Sequence, residues 1–148
     1  MRIHAFPDDV VDRARSLAGT DEHHELLPEG PGSPLRCCLG RAGDGEPLVL
    51  FRYSPEAGTG PYEEVGPVFV HAEACGGPER TDVLPAALVA APRVLRAYDG
   101  RGRIHSGEAA GPGEVEAVVE KLLADPDVEQ VQVRSLSHGC FLFAVTRD

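Results

Sequence analysis

The run Phe141-Leu142-Phe143-Ala144-Val145 is apolar throughout, bounded by Gly139 before it and Thr146-Arg147-Asp148 after it. Its length and composition are those of a buried strand, so the chain must build a sheet with enough cover to hide it. The glycine turn in front of the run presents His138 and Cys140 at the strand edge. A thiol next to an imidazole is a place where nucleophilic chemistry can be built, and equally a place where a cysteine is simply packed.

A chain of 148 residues fits one domain, residues 1–148, and can bury a sizeable core without staples. With 14 basic against 24 acidic residues, the formal charge of −10 repels nucleic acid and anionic lipid, so neither is an expected partner. The first residues, Met1 to Asp9, hold no signal-like apolar core, and no stretch approaches membrane-spanning length. A cytoplasmic protein is expected. In that compartment Cys37, Cys38, Cys75 and Cys140 stay reduced, and they follow no Cys-x-x-Cys framework.

Pro7-Asp8-Asp9 opens a segment with Val10, Ala14 and Leu17 at helical spacing and Gly19 just past its end. Residues 20–33 are polar and read as an exposed connector. Strands are expected at Leu35–Leu39 and Leu48–Tyr53, paired as a hairpin around Gly43-Asp44-Gly45. A Gly- and Pro-rich loop leads to a strand over Val68–Ala72, whose alternation places Phe69, His71 and Glu73 on one face. Arg93–Tyr98 and Arg103–Ser106 flank Asp99-Gly100 as a second hairpin. Val115, Val118, Val119, Leu122 and Leu123 make a helix that Asp125-Pro126 ends, because proline cannot continue it. Val128–Val133 and Phe141–Val145 close the chain. The expected fold is α+β: a mainly antiparallel sheet of about six to seven strands with two amphipathic helices.

Three blocks, Pro34-Leu35-Arg36-Cys37-Cys38-Leu39, Gly66 to Glu73 and Leu95-Arg96-Ala97-Tyr98-Asp99, are familiar together with Gly139-Cys140-Phe141 and Arg147. Over residues 35–147 the chain resembles the bacterial family catalogued as domain of unknown function 1203. The resemblance implies that the chain is the whole family domain, and it implies no activity. Relatives tend to carry Arg-Asn shortly before the Gly-Cys, where this chain reads Arg134-Ser135. The paired cysteines are typical of one branch, whereas Cys140, His71 and Arg96 carry over.

The expected strands carry Arg36, Arg52, Arg96 and Arg134 among apolar neighbours. A buried guanidinium needs water, a carboxylate or a bound anion, so two or three on one face would make a bidentate anion clamp, with Tyr98 beside Arg96. The alternative is a set of intrachain salt bridges. For Cys140 the candidate bases are His138 and His71. Soft ligands for a metal are plentiful, but Cys37 and Cys38 on a strand point to opposite faces, so no metal site is expected. Neither Gly40–Gly45 nor Gly58-Thr59-Gly60 matches a phosphate-binding loop, and no cofactor is expected. Two functions follow. One is a protein that binds an anionic small molecule among these arginines, whether or not it acts on it through Cys140 with His71 or His138. The other is a non-catalytic interaction or structural module.

Overall fold

The computed structural model describes residues 1–148. Its elements are β1 (Arg2–His4), α1 (Asp8–Leu17), β2 (His24–Leu27), β3 (Leu48–Tyr53), a single 3-10 turn (Gly60–Tyr62), β4 (Gly66–His71), α2 (Ala86–Val89), β5 (Arg93–Asp99), β6 (Ile104–Ala110), α3 (Val115–Leu123), β7 (Val128–Ser135) and β8 (Phe141–Thr146). They form an α+β fold with two antiparallel sheets. One runs β1-β8-β7-β5-β6 and the other β2-β3-β4.

The closing apolar run is explained by where β8 lies. Phe143 and Val145 enter a core shared with Leu95, Val131 and Val133 under α3, while Phe141 and Ala144 enter a second core with Val49, Phe51, Val68 and Val70 of the small sheet. A strand covered on both faces has no position for a polar side chain. In α3, Val115, Val119, Leu122 and Leu123 are buried as one stripe, and Lys121 in the last turn suits the helix dipole. In α1, Val11 and Ala14 are buried, Asp8 and Asp9 occupy the first turn, and Gly19 leaves the helix end at φ +76°.

The hairpin of β5 and β6 forms as expected, with Arg96 opposite Gly107. Four points differ from what the sequence suggests. Residues 20–33 are not only a connector: β2 lies within them and pairs with β3, Leu26 opposite Val49. The short strand β1 pairs with β8 through Ile3, which three residues cannot signal by periodicity. Finally, Leu35–Leu39 is not a strand and makes no hairpin with β3, whose partners are β2 and β4. It is a tight turn closed by the Leu35 amide on the Gly40 oxygen at 2.9 Å, with Leu39 at φ +61°. The turn docks on the free edge of β4, where the Arg36 amide donates to the Phe69 oxygen at 3.0 Å. Because β4 ends at His71, Glu73 shares no strand face with it.

Candidate functional site

Two side-chain assemblies adjoin β4, one at its start and the other at its end, where the docked turn meets it. The first surrounds a cavity of about 410 Å³ whose lining includes Tyr53, Glu64, Arg96, Arg134, His138 and Cys140. Arg96 comes from β5 and Arg134 from β7, and Glu64 reaches them from the Gly- and Pro-rich loop before β4. Arg96 Nη1 donates to Glu64 Oε1 at 2.7 Å. Arg134 Nη2 lies 2.7 Å from Glu64 Oε2 but out of line for a hydrogen bond, so this buried oxygen has no hydrogen-bond partner. Burial works against the charge on Glu64, yet the Arg96 and Arg134 guanidiniums outweigh it and hold the carboxyl below its ordinary range. Burial likewise opposes the charge on Arg96, and the bond to Glu64 with the nearby Tyr98 hydroxyl raises it above the usual arginine value.

The walls of the cavity are fixed by two more arginine contacts. Arg134 Nη1 donates to the Gly139 oxygen at 3.1 Å, and its Nε and Nη2 donate to Gln132 Oε1 at 3.2 and 2.8 Å. Arg36, only 1% exposed, donates Nε and Nη2 to the Phe141 oxygen at 2.9 and 2.6 Å and Nη1 to the Pro34 oxygen at 2.6 Å. Two guanidiniums thus hold the carbonyls on either side of Cys140. No carboxylate neutralises Arg36, and burial pushes it down to about 10, which still leaves it charged at neutral pH. Burial and Glu56 push Tyr53 the other way, up to about 12, so it stays a neutral hydroxyl.

Of the residues singled out in the sequence, Arg96, Arg134, Cys140 and His138 come together here. Arg36 stands behind the wall, and Tyr98 is buried at the base of the β5 strand, 1% exposed. Arg52 points elsewhere, to a shallower cleft with His23 and Glu25. His138 Nδ1 bonds with Ser137 Oγ at 2.9 Å, and the Cys140 thiol faces the His138 carbonyl at 3.8 Å rather than its ring. His71 is not beside Cys140, because its ring is engaged in the second assembly. Glu64 had no local sequence signal, since it sits in an irregular loop whose path depends on the sheet it covers.

That second assembly contains Cys37, Cys38, His71 and Cys75, whose Sγ and ring nitrogen atoms all lie within 4.8 Å of one another. Cys37 and Cys38 come from the docked turn, His71 from the end of β4, and Cys75 from the following loop, where Gly76 and Gly77 have φ of +78° and +80°. The strand geometry that would have set Cys37 and Cys38 on opposite faces does not occur, and the turn aims both sulfurs at His71 Nδ1, at 3.6 and 3.8 Å. The hydrogen bond between the two thiols, and then burial, raise Cys37, while the same bond lowers Cys38 to about 6 with help from the Gly40 amide. Burial alone would lower His71, but Cys75, Cys38 and Glu46 together raise it.

A small two-sheet α+β protein with an arginine-lined cavity and a separate thiol–imidazole cluster is the class that this fold and these sites define. The family model of DUF1203, a protein of unknown function, matches residues 32–147, and the chain belongs to that family. No curated protein and no solved structure matches it. No helix is long and apolar enough to cross a membrane.

Proposed function

We propose that this protein binds a small anionic molecule, a carboxylate or a phosphate monoester, in the cavity between Arg96, Arg134 and Cys140. The observation that carries the reading is the local charge balance. The lining holds two guanidiniums against the single carboxylate of Glu64, with Arg36 adding a third cation just behind, in a chain whose formal charge is −10. Distant acids are screened over about 8 Å at physiological salt, so this local excess of positive charge remains attractive to an anion. The cavity's volume of about 410 Å³ suits a metabolite-sized ligand. Arg96 gives only Nη1 to Glu64, which leaves the rest of its fork for bidentate contact. Cys140, half-buried on the same wall, is then a contact residue of the ligand.

A thermal-shift screen of carboxylates and phosphate monoesters tests this. A binder at a hundred times its dissociation constant stabilises the fold by about 2.7 kcal/mol, a rise of roughly 5–10 °C for a domain of this size. Arg96→Lys should remove the shift and leave the melting temperature of the free protein within a degree or two of wild type, because lysine keeps the charge but loses the fork. If no compound in the screen moves the wild-type transition, the Arg96, Glu64 and Arg134 triad is an internal tie, and the protein is a non-catalytic module instead.

A further inference from the structure

We infer that Cys37, Cys38, Cys75 and His71 form a tetrahedral Zn²⁺ site that ties the docked turn to the end of β4 and the loop after it. The inference is independent of the anion cavity and rests on four geometric observations.

The first is distance. A zinc ion with Zn–S of about 2.3 Å and Zn–N of about 2.0 Å in tetrahedral geometry requires S···N edges of about 3.5 Å and S···S edges of about 3.8 Å. His71 Nδ1 is 3.6 Å from Cys37 Sγ and 3.8 Å from Cys38 Sγ. All four ligand atoms fit within 4.8 Å, so closing the set around an ion asks for shifts of roughly 1 Å or less at the longest edge.

The second is the orientation of the imidazole. His71 Nε2 hydrogen-bonds to Glu46 Oε2 on the side away from the sulfurs. A carboxylate accepting the Nε2 proton fixes the tautomer in which Nδ1 carries the lone pair, and Nδ1 is the nitrogen that faces the thiols. Glu46 is itself held by the Gly43 amide at 2.8 Å. A histidine packed for stability alone needs no such division between its two nitrogens.

The third is the set of donors around the sulfurs. The His71 amide donates to Cys37 Sγ at 3.2 Å. Arg15, from α1, donates Nε to the His71 oxygen at 2.9 Å and brings Nη2 to 3.8 Å from Cys75 Sγ. Three thiolates and a neutral imidazole around Zn²⁺ carry a net charge of −1, and Arg15 is the cation placed to offset it. Binding releases the thiol protons to solvent and changes no oxidation state.

The fourth is backbone strain. Leu39, directly after the cysteine pair, is the one non-glycine residue with positive φ, at +61°. Left-handed backbone is uncommon for a residue with a side chain, and here it occurs in the turn that carries both cysteines. With all four positions supplied by protein, the site is of the closed, structural kind.

The test is a titration of the reduced full chain with Co²⁺ and Zn²⁺, with metal content measured after gel filtration. The expected result is one equivalent of either metal, with the intense visible absorption of tetrahedral Co²⁺ and a thiolate-to-cobalt charge-transfer band. Cys38→Ser, Cys75→Ser and His71→Ala should each abolish that spectrum. Glu46→Gln should keep it while weakening zinc affinity 10- to 100-fold, the range seen for carboxylates behind a metal-bound histidine. Cys140→Ser, outside the cluster, should leave the metal content and the cobalt spectrum unchanged. Chelation of the wild-type protein gives the apo reference without mutation, and the apo protein should melt lower than the zinc-loaded one. Failure of reduced wild type to retain an equivalent of zinc would overturn the inference, as would a cobalt spectrum that survives loss of Cys38 or His71. Since neither metal content nor the cobalt spectrum depends on Arg96, the result stands apart from the ligand screen.

Discussion

Arg36 Nη2 donates to the main-chain oxygen of Phe141 at 2.6 Å, a contact between residues 105 apart in sequence. Through it the turn that carries Cys37 and Cys38 is locked to the strand that follows Cys140, and both sites depend on the same buried guanidinium. The role is structural, because Arg36 meets carbonyls alone and lies out of reach of a ligand in the cavity.

Arg36→Ala should therefore be among the most destabilising substitutions in the chain. It leaves the Phe141 and Pro34 oxygens without their donors inside the fold, at about 1–3 kcal/mol for each unsatisfied group, and opens a cavity besides. A loss of roughly 3–5 kcal/mol in urea unfolding is expected. Arg36→Lys should recover part of it through the one bond an ammonium can make. A loss under about 1 kcal/mol for the alanine variant would mean that water replaces the guanidinium.

Glu64 gives a prediction with a sign in pH. Its carboxyl titrates below the ordinary 4.5 in the folded protein, since the Arg96 hydrogen bond and the nearby charges of Arg96 and Arg134 outweigh burial. The folded value lies below the unfolded one, so the contribution is complete above about pH 4.5 and is lost as acid carries the solution down through the folded value. Glu64→Gln should flatten this part of the curve of melting temperature against pH and leave the alkaline side unchanged. The same variant removes the one carboxylate that competes for the guanidiniums, so anions found by the ligand screen should bind it more tightly than wild type. Weaker anion binding by Glu64→Gln would mean that Glu64 is needed to hold the two arginines in place.

These two residues also show what the sequence could and could not disclose. The buried run at Phe141–Val145, the α3 stripe and the β5–β6 hairpin were legible because periodicity and turn residues are local signals. The convergence of Arg96 and Arg134 was half legible, as apolar neighbours mark both as strand residues in need of partners. Glu64 was not, because a loop residue's position is set by whatever it packs on. Cys37 and Cys38 were misplaced for a specific reason: Leu35–Leu39 has strand-like composition, and its backbone is decided by edge docking on β4 through Leu35 and Phe69. The zinc ligands come from segments more than thirty residues apart, so spacing motifs could not reveal them. The vicinal cysteines were visible, but their common direction was not.

Gly58 supports the loop that carries Glu64. Its φ is +90°, and an added Cβ would stand 2.7 Å from the Tyr62 oxygen and 3.6 Å from the Tyr98 ring. Its amide donates to the Gly102 oxygen at 3.0 Å, which fastens the loop to the β5–β6 turn. Gly58→Ala should cost about 2 kcal/mol by forcing both strain and a clash with backbone, which cannot rotate away as a flexible side chain could. Anion affinity should fall along with stability, since Glu64 and Pro55 belong to the same loop. A variant as stable as wild type would show that the loop re-forms around the new methyl group.

Thiol accessibility separates the two sites in one experiment. In the zinc-loaded protein Cys37, Cys38 and Cys75 are coordinated, so iodoacetamide should modify Cys140 alone, from the open cavity. After chelation, half-buried Cys38 and Cys75 should become reactive, with buried Cys37 the slowest of the set. An anion bound beside Cys140 should slow its alkylation without affecting the other three. Peptide mapping by mass reads all four positions at once. Protection of Cys140 until the protein is denatured would place that thiol in the packing of β8 and remove it from the ligand site. Equal reactivity of Cys38 and Cys75 before and after chelation would remove the metal from theirs.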